Sequence, residues 1–172
     1  MRILLGGLLV VMVAATAFAQ STPGLLRGAA KAALVVKVSA PTEIEASQTT
    51  CRISKAAVEH QARSGFLTSP VSLTDAPPDI TLIVEVELYR IELDDPVSMC
   101  IARVSLRAGI RTKVLLPYGN APAERWAERW VDLFRSERKV ARPMSGFDIE
   151  VLEAVDGMVK EFIGAWTKDQ QS

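Results

Sequence analysis

Residues 80–91 read Ile-Thr-Leu-Ile-Val-Glu-Val-Glu-Leu-Tyr-Arg-Ile. Ile80, Leu82, Val84, Val86 and Leu88 alternate with Thr81, Glu85, Glu87 and Tyr89. That period of two gives a pleated strand one dry face and one wet face. Antiparallel sheets commonly leave one face to water, so the stretch predicts an antiparallel sheet covered on one side. Leu93, Asp94, Asp95 and Pro96 follow as turn chemistry. Residues 97–106 then run back as the partner strand, with Cys100, Ala102, Val104 and Leu106 on a shared face.

Upstream, residues 32–38 are rich in β-branched side chains and give a first strand. Residues 42–63 read as a helix: Cys51, Val58 and Ala62 lie on one stripe with Ile53 and Ala57 beside it, while Arg52, Lys55, Glu59 and Arg63 face out. Ser64 and Gly65 end it, glycine readily taking the left-handed terminal conformation. A loop over 66–79 is punctuated by Pro70, Pro77 and Pro78.

Downstream, residues 111–116 extend the sheet, either past a bulge at Ala108 and Gly109 or as a separate strand. Pro117, Tyr118, Gly119 and Asn120 form a turn. Residues 121–136 fit two readings. Asn120, Pro122 and Glu124 suit a helix start, and Trp126, Trp130 and Phe134 recur every four residues. The same three aromatics also alternate at even positions, as a strand requires. The strand is preferred because a sheet with two helices on one face completes a two-layer architecture. The last helix is capped by Ser145 with Asp148 three residues on. Val151, Val155, Met158, Phe162 and Trp166 form its apolar stripe, widened by Leu152, Val159 and Ile163. It ends near Lys168, and residues 169–172 fray. The expected fold is α+β: an antiparallel sheet of about four strands, two helices on one face, in the order β-α-β-β-β-α.

The N-terminus carries Arg2, an apolar run over residues 3–15, then Ala17, Phe18, Ala19 and Gln20. One charge, a short apolar core and small residues at Ala17 and Ala19 make a secretory signal peptide over 1–19, cut after Ala19. The competing reading is a membrane anchor, but the run falls short of the roughly 20 residues a span needs. No cysteine near the cut would accept a lipid. Residues 20–30 are expected as a flexible leader and 31–172 as a single domain, periplasmic or secreted, with no stable membrane insertion after cleavage.

With 172 residues and 49% hydrophobic content, the chain has enough apolar surface to order itself as one domain. Its 20 basic and 20 acidic side chains cancel, removing the long-range field that binders of nucleic acid or anionic membrane use. Cys51 and Cys100 are the two cysteines. Export favours their pairing, and their spacing is neither a CxxC redox site nor half of a zinc site. The chain-entropy value of such a link is about 4 kcal/mol.

His60 is the one imidazole, no serine sits in a Gly-x-Ser-x-Gly elbow, and Glu59 and Gln61 lie on other faces of the helix. A hydrolytic triad therefore lacks its parts. Glu85 with Glu87 reads as a solvated strand face, and Asp94 with Asp95 as a turn. Neither pair has the ligand pattern of a calcium loop, and no cofactor or metal is expected. Arg135, Arg138, Lys139 and Arg142, opposed by Glu137, read as a basic connector that could also take an acidic partner. Trp126, Trp130 and Phe134, beside Arg125 and Arg129, read first as core and second as a partner or ligand contact.

Over residues 32–166, the layout, the Trp126 region and the helix SGFDIEVLEAVDGMVKEF resemble small uncharacterised exported bacterial envelope proteins of βαβββα type. No catalytic residue comes with that resemblance. It implies a non-enzymatic accessory or binding protein of the cell envelope, docking another envelope protein through an open sheet edge or an aromatic patch. A carrier of small hydrophobic ligands and a hydrolase are the alternatives. The expected contact residues are Trp126, Trp130, Phe134, Arg138, Lys139 and Arg142, with Cys51–Cys100 as the disulfide.

Overall fold

The computed structural model describes residues 18–21, 24–39, 51–91, 99–115, 126–143 and 145–172. The elements run β1 (Phe18–Ser21), β2 (Lys31–Ser39), α1 (Lys55–Phe66), β3 (Ser72–Leu73), β4 (Ile80–Ile91), β5 (Met99–Leu115), β6 (Trp126–Pro143) and α2 (Phe147–Gln170). The α+β class stands, while the described elements run β-β-α-β-β-β-β-α, with β1 and β3 unforeseen. The sheet itself is corrected: it has six strands in the order β1-β6-β5-β4-β2-β3, and it is mixed rather than antiparallel. β2 runs parallel to β4 from Ala32 opposite Ile80 to Ser39 opposite Glu87. The reason is the intervening helix, which returns the chain to the end of the sheet where β2 began.

The alternation over 80–91 is realised. Ile80, Leu82, Val84, Val86 and Leu88 are buried, and so are Ala108, Leu106, Val104 and Ala102 opposite the last four, with Cys100 buried opposite Arg90. Both helices close over this face. Phe66 of α1 and Phe134 of β6 meet Phe162 of α2 with ring centroids 6.0 and 5.4 Å apart, the second edge to face as the ring quadrupoles favour.

Cys51 and Cys100 form a disulfide, with Cα atoms 5.4 Å apart, and both are buried. Cys51 is not on the helix, however. Residues 51–54 are non-helical and α1 starts at Lys55, not Thr42; residues 40–50 lie outside the described set. Nor does Gly65 end α1 in a left-handed conformation, since α1 continues to Phe66. A Cβ at Gly65 would stand 2.7 Å from Val159 Cγ1, so glycine is required by the close approach of the helices.

The cap of α2 is corrected too. Its N-cap is Gly146 at φ +81°, with no side-chain cap bond, so the Ser145–Asp148 box is not made. Glycine pays no Cβ penalty there, and Asp148 and Glu150 complement the helix dipole instead. At the other end the helix does not fray at 169. Asp169 is buried, and its Oδ2 accepts the Leu26 amide at 3.2 Å. Gln170 Nε2 donates to Leu26 O at 2.8 Å, and Trp166 Nε1 donates to Ala29 O at 2.7 Å. The leader expected over 20–30 is thus clasped from residue 24 onward, with Leu26 fully buried. Residues 1–17 of the signal peptide expected over 1–19, and the expected turns at Leu93–Pro96 and Pro117–Asn120, lie outside the described residues.

Candidate docking edge

β6 sets the geometry of the expected contact residues. It pairs antiparallel with β5 along its length, from Leu115 opposite Trp126 to Met99 opposite Pro143. This supports the strand reading from residue 126 on; residues 121–125 lie outside the described set. The register shifts once, because Ala108 faces Phe134 while Gly109 faces Asp132, leaving Leu133 as an extra residue. A bulge of this kind reverses which residues face the core. Before it, Trp130 lies with Arg111 on the open face; after it, Phe134 lies with Ala108 on the helix-covered face.

The aromatic set is therefore split. Phe134 is buried against Phe162. Trp130 lies across the bulge on Gly109, where a Cβ would be 2.6 Å from its Cζ2, and its Nε1 donates to Asp132 Oδ1. Trp126 opens β6, and its side chain is outside the described set. No single aromatic patch results among the described residues.

The basic run is also corrected: residues 135–142 are strand, not connector. Alternation sends its charges to both faces. Arg138 and Arg142 reach α2, pairing with Glu161 and Glu150. Ser136, fully buried, donates its hydroxyl to the other Glu161 oxygen at 2.7 Å. Arg135 turns to the open face and meets Glu137 at 3.3 Å, and Lys139 is exposed.

The open face carries a self-neutralising ladder. Arg103 donates to both oxygens of Glu137 at 2.9 and 3.0 Å and approaches Glu87 at 3.7 Å, while Arg107 approaches Glu85 at 3.9 Å. The Arg103 hydrogen bond holds the Glu137 carboxyl below its ordinary value, and Glu137 in turn raises the Arg103 guanidinium. Tyr89 donates to Glu87 at 2.9 Å, which raises its phenol. Glu85 and Glu87 are thus committed to cross-strand cations. His60 is exposed on α1, away from this face. Asp94 and Asp95 lie outside the described residues. Among the described residues no group of three or more His, Cys, Asp or Glu could hold a metal, and no helix is long and apolar enough to cross a membrane.

The backbone edges of the sheet complete the picture among the described residues. β6 has 18 residues, and its outer edge is bordered among the described residues by β1 alone, over Phe134–Glu137. β1 spans the expected signal cut, with Ala19 opposite Ser136 and Gln20 opposite Arg135. β2, at the far side of the sheet, is bordered by β3 at Lys31 and Ala32. An open sheet edge was expected from the sequence, but not which strand forms it, because strand order is not written in local pattern.

No family model matches the chain, and no curated protein matches it. Among solved structures, the PelC dodecamer from Paraburkholderia phytofirmans is similar at 12% identity and TM-score 0.47, covering 89% of this chain and 97% of that one. A minor lipoprotein from Acinetobacter baumannii gives 13% identity and TM-score 0.33, covering 78% and 89%. A hypothetical protein from Chlamydia trachomatis gives 13% and 0.39, covering 76% and 98%. Likeness at this level carries no statement about fold or role.

Proposed function

We propose that this chain is an exported, non-enzymatic docking component of the bacterial cell envelope, binding a partner chain through the outer edge of β6. The observation that carries the reading is the length of that edge against the four residues of β1 that border it. An exposed edge is a ready template for a further strand, and soluble proteins normally blunt it. The open face is a poorer candidate, because its charges already answer one another. Export is supported by the signal-like N-terminus and by the buried Cys51–Cys100 disulfide, a bond that persists outside the cytosol.

The test is photo-crosslinking in cells that make the full chain, with the probe at Lys139 or Ala141 on β6 and at His60 on α1 as control. The β6 probes are expected to cross-link to an envelope-resident protein chain and the His60 probe is not. Equal yields from all three positions would overturn the docking role. Export is checked separately by N-terminal sequencing of the fractionated protein, expected to begin at Gln20. A product that keeps residues 1–19 and stays in the cytosol refutes it.

A further inference from the structure

We infer that the outer edge of β6 pairs with the β6 edge of a second copy, antiparallel and two-fold about Ser136. The inference rests on the docking role proposed above and names the occupant of that edge. A two-fold antiparallel pair that keeps the covered faces on one side must be centred on a residue, since a half-residue offset would turn one core face outward. With Ser136 at the centre, Arg135 of each copy lies opposite Glu137 of the other, both on the open face. Two opposite-charge pairs result.

Every other centre from Arg135 to Val140 sets like charges against each other. Arg135, Glu137, Arg138 or Lys139 at the axis faces its own copy, and Val140 at the axis sets Arg138 opposite Arg142. Like charges directly opposite destabilise a strand pair. Centres further toward Trp126 run into the Leu133 bulge. An acidic strand from another protein is less well matched, because it would set a like charge opposite Glu137, where the second copy offers Arg135 in addition to the Arg103 that Glu137 already meets.

The favoured centre coincides with the stretch that β1 occupies, Phe134–Glu137. A cut after Ala19 removes Phe18 and Ala19 and leaves Gln20 and Ser21 opposite Arg135 and Phe134. Maturation thereby halves the internal competitor for the edge.

The test uses the chain beginning at Gln20, with R135C and E137C made separately. The native cysteines are bonded to each other and buried, so each variant adds one accessible thiol. In the inferred register residue 135 of one copy faces 137 of the other. Two copies of residue 135 are offset by two positions each, beyond the roughly 7 Å Cα separation that a disulfide spans. On mild oxidation the mixture is expected to cross-link at least about tenfold more than either variant alone. Sedimentation should show a dimer for the unsubstituted chain, tightened roughly threefold or more in a chain beginning at Gly24, which lacks Gln20 and Ser21. Near-ultraviolet circular dichroism verifies that each variant is folded, and the sedimentation comparison stands without either cysteine variant.

Equal cross-linking in all three samples overturns the register. A chain carrying both V35C and R135C that cross-links into a ladder of higher oligomers indicates head-to-tail β2–β6 pairing and overturns the two-fold arrangement. A chain that stays monomeric, while the cellular probes on β6 reach a different protein, overturns the second copy and leaves the docking role standing. Absence of both signals overturns both.

Discussion

Replacing Gly109 by alanine tests whether the β5–β6 register shift depends on glycine. The added Cβ would stand 2.4 Å from Val131 O and 2.6 Å from Trp130 Cζ2. Carbon–oxygen contacts settle at about 3.3 Å or more and carbon–carbon contacts at about 3.5 Å or more, so the shortfall is roughly 0.9 Å at both atoms. Trp130 can rotate away, but Val131 O is backbone. Relief requires β6 to retreat by most of an ångström, lengthening one or two ladder hydrogen bonds beyond use. At about 1 kcal/mol each, with lost indole contact on top, the cost is about 2–4 kcal/mol. Alanine returns about 0.5–1 kcal/mol by restricting the unfolded chain. G109A is therefore expected to lose about 1.5–3 kcal/mol, read as a shift of the guanidinium midpoint at unchanged slope. Adding W130A should recover little, since the backbone oxygen remains. A G109A chain as stable as the parent, or a double variant restored to parental stability, would refute the reasoning.

Three further outcomes are expected. Reducing the Cys51–Cys100 link, which spans 49 positions, should lower stability by about 4 kcal/mol, read from denaturation with and without reductant; a loss under about 1 kcal/mol contradicts its role as the main staple. Leu26→Ala, at a fully buried position in the clasp against α2, should cost about 2–4 kcal/mol and open residues 24–30 to protease; unchanged stability and cleavage would mean the clasp does not hold. The Glu137 carboxyl is depressed on folding, first by the Arg103 hydrogen bond, so its stabilisation is present above the ordinary carboxylate value and fades as pH falls through the folded one. The stability gap between the parent and Glu137→Gln should accordingly be constant near neutrality and shrink below about pH 4.5, measured by denaturation across pH; a gap that widens on acidification has the wrong sign.

What could be read from residues was what repeats locally. The alternation over 80–91 placed Leu82, Val84 and Val86 inside, and the stripe from Val151 to Phe162 placed α2 on top of them. The cysteine pair followed from chemistry rather than pattern. Reading failed where a residue's role depends on a distant neighbour. Gly65 looks like a helix terminator and is instead a contact point for Val159. Asp169 looks like a fraying end and instead holds the Leu26 amide. Arg138 and Arg142 look like a basic connector and instead pair with carboxylates on α2.

Hydrophobic period, turn residues and an export-type N-terminus are properties of neighbours in the chain, so the sequence by itself determined the α+β class, the helix-covered face and the disulfide. Which strands lie side by side depends on how the chain crosses over after β2, and which way Trp130 points depends on one extra residue, Leu133, in the ladder. Both are settled when segments far apart in sequence bury their surfaces against one another. The edge of β6 that β1 alone borders among the described residues, on which the docking role rests, is a product of that strand order, and only the tertiary structure decided it.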